Sequence, residues 1–528
     1  MGEPDAQEDR EKLQSCFVDT GDLDELRDVG SKKCIVLGRT GVGKTALLSM
    51  LEDKEEKVTL LSADDVAVDY LSNSVALKSY LDMGIELDLF FRVLWRHIFI
   101  KELIGLVGSR SGEPGINYFL EGIRNAVYKK PHLRKGQAYI KEHDGFWNHA
   151  DIRVIDEIKR FEKQMDGKIE AKLGRNILNA GGGISTKSTL TQEEKSEIEK
   201  IGKEIVNRGQ IRDLSNLMKL LAYELQKDRQ KKYFIAIDGL DLDWTNDALR
   251  YKLIRALIEA ARVLNNGIRQ LKIVCAIRED LLDRVFRETR GHGDQQEKYL
   301  SLSLKLYWSD EQLEEVLERR INQLLVNHYA KGQRITLEDI LSEKVRQRDP
   351  VSYIISRTLS TPRDVIMYLN ACIEQAVGKS RINQLHIGRA EGVYSVLRLR
   401  ALADEWSADF PTLGEAAFLL RGQNQEFRIN SLDEERFINR IIEYFVKVEE
   451  SSESDEILHL LDNYHEFKET MSKLFNIFYR IGIIGVHKEE FYETYWSHKG
   501  NRISASDITE ETKLRIHPAF YRVLSIRH

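Results

Sequence analysis

The sequence is poor in cysteine. Its four cysteines in 528 residues, Cys16, Cys34, Cys275 and Cys372, lie far apart and form no Cys-x-x-Cys pair. This spacing argues against a disulfide framework and against a cysteine-ligated metal, and it fits a reducing compartment. We therefore predict a cytoplasmic protein.

Long hydrophobic runs and a strong charge imbalance are also missing. The most apolar stretch, residues 87–100, is interrupted by Asp88, Arg92, Arg96 and His97, which argues against a membrane-spanning helix. The formal net charge is -6 at pH 7, so the bulk electrostatics do not demand nucleic acid or an anionic membrane as a partner. The acidic, polar start of the sequence resembles no signal peptide. We expect no association with a membrane.

The strongest motif is a glycine-rich stretch between the apolar run 33–37 and the helical pattern 46–51. It reads Gly38, Arg39, Thr40, Gly41, Val42, Gly43, Lys44 and Thr45. Strand, glycine-rich loop and helix in this order are typical of a phosphate-binding loop. Glycines let several backbone N–H groups turn toward an anion, and the helix N-terminus adds partial positive charge. Lys44 is predicted to contact the β- and γ-phosphates, and the Thr45 hydroxyl to ligate Mg²⁺.

Alternating strand and helix patterns predict an α/β fold with a parallel sheet. The strands are expected near residues 33–37, 58–61, 232–238, 271–277 and 300–306. Four regions are predicted: an N-terminal linker at 1–30, a P-loop core at 31–310, a helical domain at 311–406 and a winged-helix-like domain at 407–528.

Three local features refine this division. Residues 107–210 are rich in charge, Gly and Ser and are interpreted as an insertion into the core; Thr191 and Glu194 have the capping-box spacing inside it. The aromatic helix 87–106 is expected to be core rather than a partner surface. Toward the C-terminus a helix at 471–484, a hairpin with its tip at 498–501 and a final helix after Pro518 give winged-helix order.

Acidic residues follow the predicted strand 232–238. Asp238 is expected to bind Mg²⁺, directly or through water, at the end of a strand beside the loop strand. Asp241 is the first choice to polarise the attacking water, with Asp243 behind it. Helix N-capping is the alternative role for Asp241 and Asp243.

These features resemble bacterial P-loop ATPases of the AAA+/STAND division, in particular KAP-type and related ATPases often found in prokaryotic antiviral defence loci. The resemblance rests on the loop 38–45, the Asp238-x-x-Asp241 strand end and Arg278 at the end of the next strand. It implies that Arg278 is a sensor, that residues 311–406 form a lid, and that Arg363, after Thr361-Pro362, reaches the γ-phosphate. The absence of an Asn-Lys-x-Asp motif and of a Leu-Ser-Gly-Gly-Gln signature favours ATP over GTP and disfavours an ABC-type dimer.

The sequence departs from the family pattern in places. Gly239 follows Asp238 where many AAA+ proteins have Glu, so the residue that activates water is left open. Arg284, Arg287 and Arg290 lie where an arginine finger is expected, but a solvated helix face is the favoured explanation for each, so no finger is assigned. The insertion is not a feature of the minimal fold.

Together these features predict a Mg²⁺-dependent ATPase of low turnover that acts as a homo-oligomeric switch. The resemblance implies a role in antiviral defence with a separate effector protein, since no nuclease, protease or NAD-cleaving motif is present. The alternative is a nucleic-acid-binding AAA+ ATPase, similar to initiators or transposition regulators. Its candidate contacts are Lys473, Asn476 and Arg480 of the helix and His498, Lys499 and Arg502 of the wing. In STAND-type switches the same fold serves instead as a structural clamp on the nucleotide site. A third hypothesis is a scaffold that binds nucleotide but, because of Gly239, does not hydrolyse it.

Overall fold

A computed structural model describes residues 9–63, 75–108, 150–173, 191–207, 210–242, 247–289, 296–328, 335–342, 344–448, 455–488, 493–501 and 503–527. They form two compact units. The first, here called the sheet unit, comprises Gly21–Gly38 and Lys44–Leu306. The second, the helical unit, comprises the described parts of Met1–Thr20, Arg39–Gly43 and Tyr307–His528, and it begins with helix α1 (Arg10–Cys16). The phosphate-loop sequence 38–45 is thus divided between the two units.

Over its described residues, the sheet unit is built on five strands. They are β1 (Ile35–Gly38), β2 (Val58–Ser62), β3 (Tyr233–Asp238), β4 (Leu271–Arg278) and β5 (Ser303–Lys305). Their order in the sheet is β2-β3-β4-β1-β5, and each neighbouring pair is parallel. Strands β3 and β4 are buried along almost their whole length, as expected for central strands covered on both faces. The predicted α/β class with a parallel sheet is confirmed.

The strand order corrects one prediction about Asp238. Its strand, β3, does not lie beside the loop strand β1, because β4 lies between them. Cys275 of β4 is in register with Ile35 of β1 on one side and with Ile237 of β3 on the other. Adjacent strands lie about 4.8 Å apart, so Asp238 and Gly38 end strands that are about 10 Å apart.

Helices surround this sheet. The long helix at residues 88–108 supplies much of the hydrophobic core of the sheet unit. The helices of the sheet unit are α2 (Asp22–Arg27), α3 (Lys44–Lys54), α4 (Val75–Asp82), α5 (Asp88–Gly108), α6 (Ala150–Leu173), α7 (Gln192–Asn207), α8 (Gln210–Leu225), α9 (Asp247–Gly267), α10 (Glu279–Glu288) and α11 (Gln296–Leu300). Phe90, Phe91, Leu94 and Trp95 of α5 are buried. The aromatic helix is therefore core, as predicted.

The described part of the insertion packs onto the same core. Phe161 of α6 stacks on Phe90, with ring centroids 4.1 Å apart, and Ile198 of α7 is fully buried. The predicted capping box is present, since the Thr191 N–H donates to Glu194 at 2.9 Å and the Glu194 N–H donates to the Thr191 hydroxyl at 3.2 Å. Much of the insertion, including the three consecutive glycines at 181–183, lies outside the described residues.

The helical unit contains nine further helices. They are α12 (Asp310–His328), α13 (Leu337–Ile340), α14 (Pro350–Ser356), α15 (Pro362–Gln375), α16 (Gln384–Glu405), α17 (Leu413–Ala416), α18 (Glu434–Lys447), α19 (Glu456–Asp462) and α20 (Phe467–Ile481), counted over the described chain. One hydrophobic core extends from Leu313 to Ile526, so it does not divide at the predicted boundary after residue 406.

The N-terminal segment is not a linker in its described part. Helix α1 packs along α12, where Asp9 and Arg320 form a buried ion pair of 2.5 Å and the Cys16 thiol donates to Gln323 at 2.8 Å. Val18 packs with the apolar cluster of the helical unit. Burial of these residues explains why the segment is ordered as part of a domain.

The C-terminal sheet differs from the predicted hairpin. Its strands are β6 (Glu426–Phe427), β7 (Ile484–Lys488), β8 (Glu493–Tyr495) and β9 (Leu514–Ile516), in the antiparallel order β6-β9-β7-β8. The predicted tip at 498–501 is wrong, because Ser497–Lys499 form a 3-10 turn after β8, and Ala505–Asp507 form another where a strand was expected. The predicted final helix is only a 3-10 turn, Pro518–Phe520.

The described helices include none that is both long enough and apolar enough to cross a bilayer.

Candidate functional site

Lys44 holds its side chain against the carboxyl end of the loop strand. It begins α3, and its Nζ donates to the Gly38 carbonyl oxygen at 3.1 Å. Gly38 in turn is the last residue of β1 and lies in register with Arg278 at the end of β4. Gly38, Lys44 and Arg278 therefore belong to the same edge of the parallel sheet, where the N-terminus of α3 also begins.

Asp238 carries an unusual carboxylate. One oxygen accepts the Gly239 N–H at 2.9 Å, and Gly239 has φ +73. The other oxygen, Oδ2, is buried and has no hydrogen-bond partner in the part of the chain that the structure describes. A buried carboxylate oxygen without a donor is costly, and a cation or a cation-bound water removes that cost.

The residues at this edge fit a magnesium ion. Mg²⁺ is usually held by one or two carboxylates together with phosphate oxygens and water, rather than by an all-protein cage. The Asp238 carboxylate and the Thr45 hydroxyl carry oxygens of the kind that such a site would use. No group of three or more His, Cys, Asp or Glu side chains among the described residues could hold a metal by itself.

Arg278 lies beside Asp241 and also pairs with Asp280, a residue to which the sequence motifs gave no role. Arg278 makes two hydrogen bonds to Asp280, one of them from Nε at 3.0 Å, and its Nε lies 4.0 Å from Asp241 Oδ2. The predicted sensor is thus held between two carboxylates. This ion pair was predictable from the sequence, since Asp280 follows Arg278 by only two residues.

Of the arginines considered for an arginine finger, two lie in the part of this region that the structure describes. Arg284 is buried and lies 3.9 Å from Asp280, whereas Arg287 is exposed on α10. Asp243 and Arg290 lie outside the described residues.

The loop residues of the helical unit pack directly against Arg363. Gly41 has φ +79, and a Cβ at this position would lie 2.7 Å from the Cβ of Arg363. The Arg363 N–H also donates to the Gly41 carbonyl oxygen at 3.3 Å. Thr361 caps the helix that carries Arg363, since its hydroxyl accepts the Asp364 N–H at 3.2 Å. The sequence motif Thr361-Pro362-Arg363 therefore begins α15 at the loop.

Arg39 has a structural role that the sequence did not reveal. Its Nη2 donates to the carbonyl oxygens of Arg480 and Ile481, both at 2.8 Å, at the C-terminus of α20. A guanidinium at this end satisfies unpaired carbonyls and complements the negative end of the helix. Gly482 follows these carbonyls with φ +101, a left-handed conformation that glycine adopts without steric cost. Val42 is also held, since its carbonyl oxygen accepts the Trp308 indole N–H at 2.8 Å.

Thr40 connects the loop to a buried network of charges. Its N–H donates to Glu405 Oε1 at 3.4 Å, and the other oxygen of Glu405 lies 3.4 Å from Arg398. Arg398 also lies 3.4 Å from Asp364, which is fully buried. Burial raises the pKa of the Asp364 carboxyl, although Arg398 opposes this effect. One end of the network contacts the loop through Thr40. The other end, Asp364, is next in sequence to Arg363, which packs on Gly41 of the same loop.

Comparison with known proteins gives one family match. Residues 311–403 are similar to the FunZ-associated C-terminal helical domain. This range begins in α12 and ends in α16. No curated protein and no solved structure matches the chain.

Proposed function

We propose that the protein is a Mg²⁺-dependent P-loop ATPase that works as a slow switch. The observation that carries this proposal is the buried, unpartnered oxygen of Asp238 at the edge of a parallel sheet whose loop strand continues into Lys44 and Thr45. A glycine-rich loop, a cationic side chain and a carboxylate oxygen without a hydrogen-bond donor in the described chain together make the set that a nucleoside triphosphate requires.

Each residue has a defined part in this proposal. The backbone of residues 38–43 and the Lys44 ammonium bind the phosphates, and Thr45 and Asp238 hold the magnesium ion. When bound, Mg²⁺ neutralises negative charge on the phosphates. Asp241 orients the attacking water, and Arg278 fixes the position of Asp241 through the 4.0 Å contact between them.

The switch arises from the contacts of the loop inside the helical unit. Thr40 donates its N–H to Glu405, and Gly41 packs on Arg363. A phosphate group bound by the loop competes with the Glu405 carboxylate for the Thr40 N–H. Once Glu405 has lost the Thr40 N–H, its carboxylate is held less firmly and its ion pair with Arg398 weakens. Asp364 is then the carboxylate that pairs with Arg398. Nucleotide binding therefore changes the charge pairing at the start of α15.

The partners remain part of the proposal. A homo-oligomer and a separate effector in antiviral defence are implied by the family resemblance. An exposed apolar stripe on α18, Ile438, Ile442 and Val446, supports a protein partner for the helical unit.

The nucleic-acid alternative has less support. Of the basic residues expected to contact it, Lys473 pairs with Glu469 at 2.6 Å and Lys499 lies 3.5 Å from Asp310. Arg480 lies 4.0 Å from Glu456. Acidic neighbours of this kind reduce the attraction for phosphate backbones.

Two variants test the proposal. Lys44→Ala removes the ammonium and should lower ATP affinity by about two orders of magnitude, whereas Asp238→Ala should abolish phosphate release. Lys54→Ala, at the exposed end of α3, is the matched control and should match the wild type. The measurements are binding of a fluorescent ATP analogue and release of inorganic phosphate. Full ATPase activity in Lys44→Ala would show the loop assignment to be wrong.

The hydrolysis step needs a separate test. Asp241→Asn keeps the size of the side chain but removes its charge, so the expected result is unchanged ATP binding with slower phosphate release. If the wild type binds ATP and releases no phosphate, the protein is a nucleotide-binding scaffold instead.

A further inference from the structure

The helical unit contains a second cationic site that is separate from the loop 38–45. It is a cavity of about 380 Å³, a volume within the range of small-ligand pockets. None of the loop residues lines it. Five cationic side chains do: Arg346, Arg348, Arg357, Lys499 and Arg515.

The charges around this cavity do not balance. Lys499 lies 3.5 Å from Asp310, Arg515 lies 3.9 Å from Glu426, and Arg357 lies 3.6 Å from Glu391. Three of the five cationic side chains therefore have a carboxylate partner, two of which are shared with other cations, so an excess of at least two positive charges remains. Arg346 and Arg348 provide this excess, since neither has a carboxylate partner within 4.0 Å in the described chain.

Arg357 is the buried centre of the site. The residue is 7% exposed, and its guanidinium lies between the rings of Tyr353 and Tyr521, at 4.8 and 5.0 Å from their centroids. Its Nη1 has no hydrogen-bond partner among the residues that the structure describes. A planar guanidinium fixed between two rings presents its remaining N–H groups in a set direction, which suits the oxygens of an anion.

The carboxylate of Glu391, which lies near Arg357, does not pair with all of the guanidinium N–H groups. Glu391 also accepts the Tyr353 hydroxyl at 2.9 Å and lies 3.5 Å from Arg522. The single carboxylate is therefore shared by two guanidinium groups and a phenol. The arrangement leaves Arg357 with hydrogen-bonding capacity for a ligand that carries negative charge.

A strained turn places the two outer arginines at the cavity. Val345 and Arg348 exchange both backbone hydrogen bonds, at 2.9 and 3.0 Å, around a two-residue turn. Arg346 and Gln347 occupy its centre with φ values of 49 and 66. Such turns favour Asn-Gly, and side chains without glycine's freedom are strained there. Stability therefore does not explain an arginine at position 346, whereas anion binding does.

We propose that this cavity binds a dianionic phosphate group, either free or as the ester of a small molecule. The excess of two positive charges matches the charge of one phosphate group at neutral pH. Arg357 binds the phosphate oxygens at the buried end, and Arg346 and Arg348 bind them from the turn. The site is independent of the ATPase proposed above.

Isothermal titration calorimetry tests this site on the full chain carrying Lys44→Ala, so that the loop contributes little to binding. The probes are inorganic phosphate, AMP and, as the uncharged control, adenosine. Phosphate and AMP should bind and adenosine should not. Tighter binding of AMP identifies a phosphate ester as the ligand, and equal binding identifies the free ion.

Substitutions in the same background assign the binding to the cavity. Arg357→Gln and Arg348→Gln should each weaken binding about tenfold or more, because each removes charge-assisted hydrogen bonds. Arg348 is exposed, so its replacement leaves the core intact. Arg400→Gln, on the exposed side of α16, is the matched control and should change nothing.

Three results would overturn the proposal. They are no binding of phosphate or AMP, binding that is unchanged in Arg348→Gln, and preferential binding of duplex DNA that depends on Arg348 and is not displaced by AMP.

Discussion

Replacing Gly41 by alanine probes the contact between the loop and Arg363 more directly than any change to Arg363 itself. The new Cβ would lie 2.7 Å from the Cβ of Arg363 and 3.1 Å from its Cδ. The Cβ of Arg363 cannot rotate away, so the backbone of the loop or of α15 must shift. Arg363→Ala would not relieve this overlap, because alanine keeps the Cβ.

The loss in the free energy of unfolding expected for Gly41→Ala has two parts, one from the backbone conformation and one from steric overlap. Gly41 has φ +79, and a left-handed conformation costs alanine about 1 kcal/mol. Overpacking against a fixed neighbour adds about 2 kcal/mol. We therefore expect Gly41→Ala to lower the free energy of unfolding of the helical unit by about 3 kcal/mol.

Two other glycines of the helical unit separate these parts. Gly378 has φ +76, and a Cβ added there would have nothing within 4 Å, so Gly378→Ala should cost only the conformational part, about 1 kcal/mol. Gly392, inside α16, has neither a positive φ nor a close neighbour, so Gly392→Ala should stabilise by about 0.5 to 1 kcal/mol. Urea unfolding of the three variants measures the differences. If Gly41→Ala costs no more than Gly378→Ala, the packing of Arg363 on the loop is refuted.

Two further predictions concern buried polar groups of the helical unit. Burial lowers the pKa of His498 and of His517 well below 6.5, so both stay neutral in the folded chain while the unfolded chain binds protons. The free energy of unfolding should therefore fall as the pH drops below about 6.5, by roughly 1 kcal/mol per histidine and pH unit. In urea titrations between pH 5 and 7.5, the free energy of unfolding of His498→Gln should depend less steeply on pH than that of the wild type. Asp455 is fully buried and accepts three backbone N–H groups, including that of Thr412 at 2.9 Å, so Asp455→Ala should cost about 2 to 4 kcal/mol, with Asp455→Asn costing less. Equal thermal stability of Asp455→Ala and the wild type would show that this cap is dispensable.

The elements of the sheet unit were predictable because their signals are local. The five residues before Asp238 are all apolar, and a run this short favours a strand covered on both faces over a buried helix. The capping box at Thr191 was predictable for the same reason, since the two partners are three residues apart.

The strand order and the position of the hairpin were not predicted correctly, because both depend on contacts between residues far apart in the chain. Nothing near Asp238 indicates that β4 separates its strand from β1, because strand order is decided by how whole layers pack. The hairpin was misplaced because His498 to Asn501 do form a turn, but one that follows β8. The true pairing is favoured by Gly485, where a Cβ would lie 2.7 Å from both Thr494 and Trp496.

The candidate site was only partly predictable for the same reason. The motif assigned residues 38–45 to phosphate binding, yet Arg39 caps a helix 441 residues further along the chain. Arg278 was expected to face a nucleotide, and its nearest charged partner is Asp280. A motif specifies the chemistry of a loop but not the protein groups that hold it.

The packing of α1 on α12 has a consequence for synthesis. Asp9 and Arg320 are 311 residues apart in the chain. Ribosomes add about 5–20 residues per second, so α1 leaves the ribosome about 15–60 s before its partner does. A helix of seven residues is not stable alone in water, so α1 stays unfolded during this interval. The sheet unit is therefore complete before the helical unit can close, and a nascent chain halted before residue 320 exposes Leu13 and Val18 to chaperones and proteases.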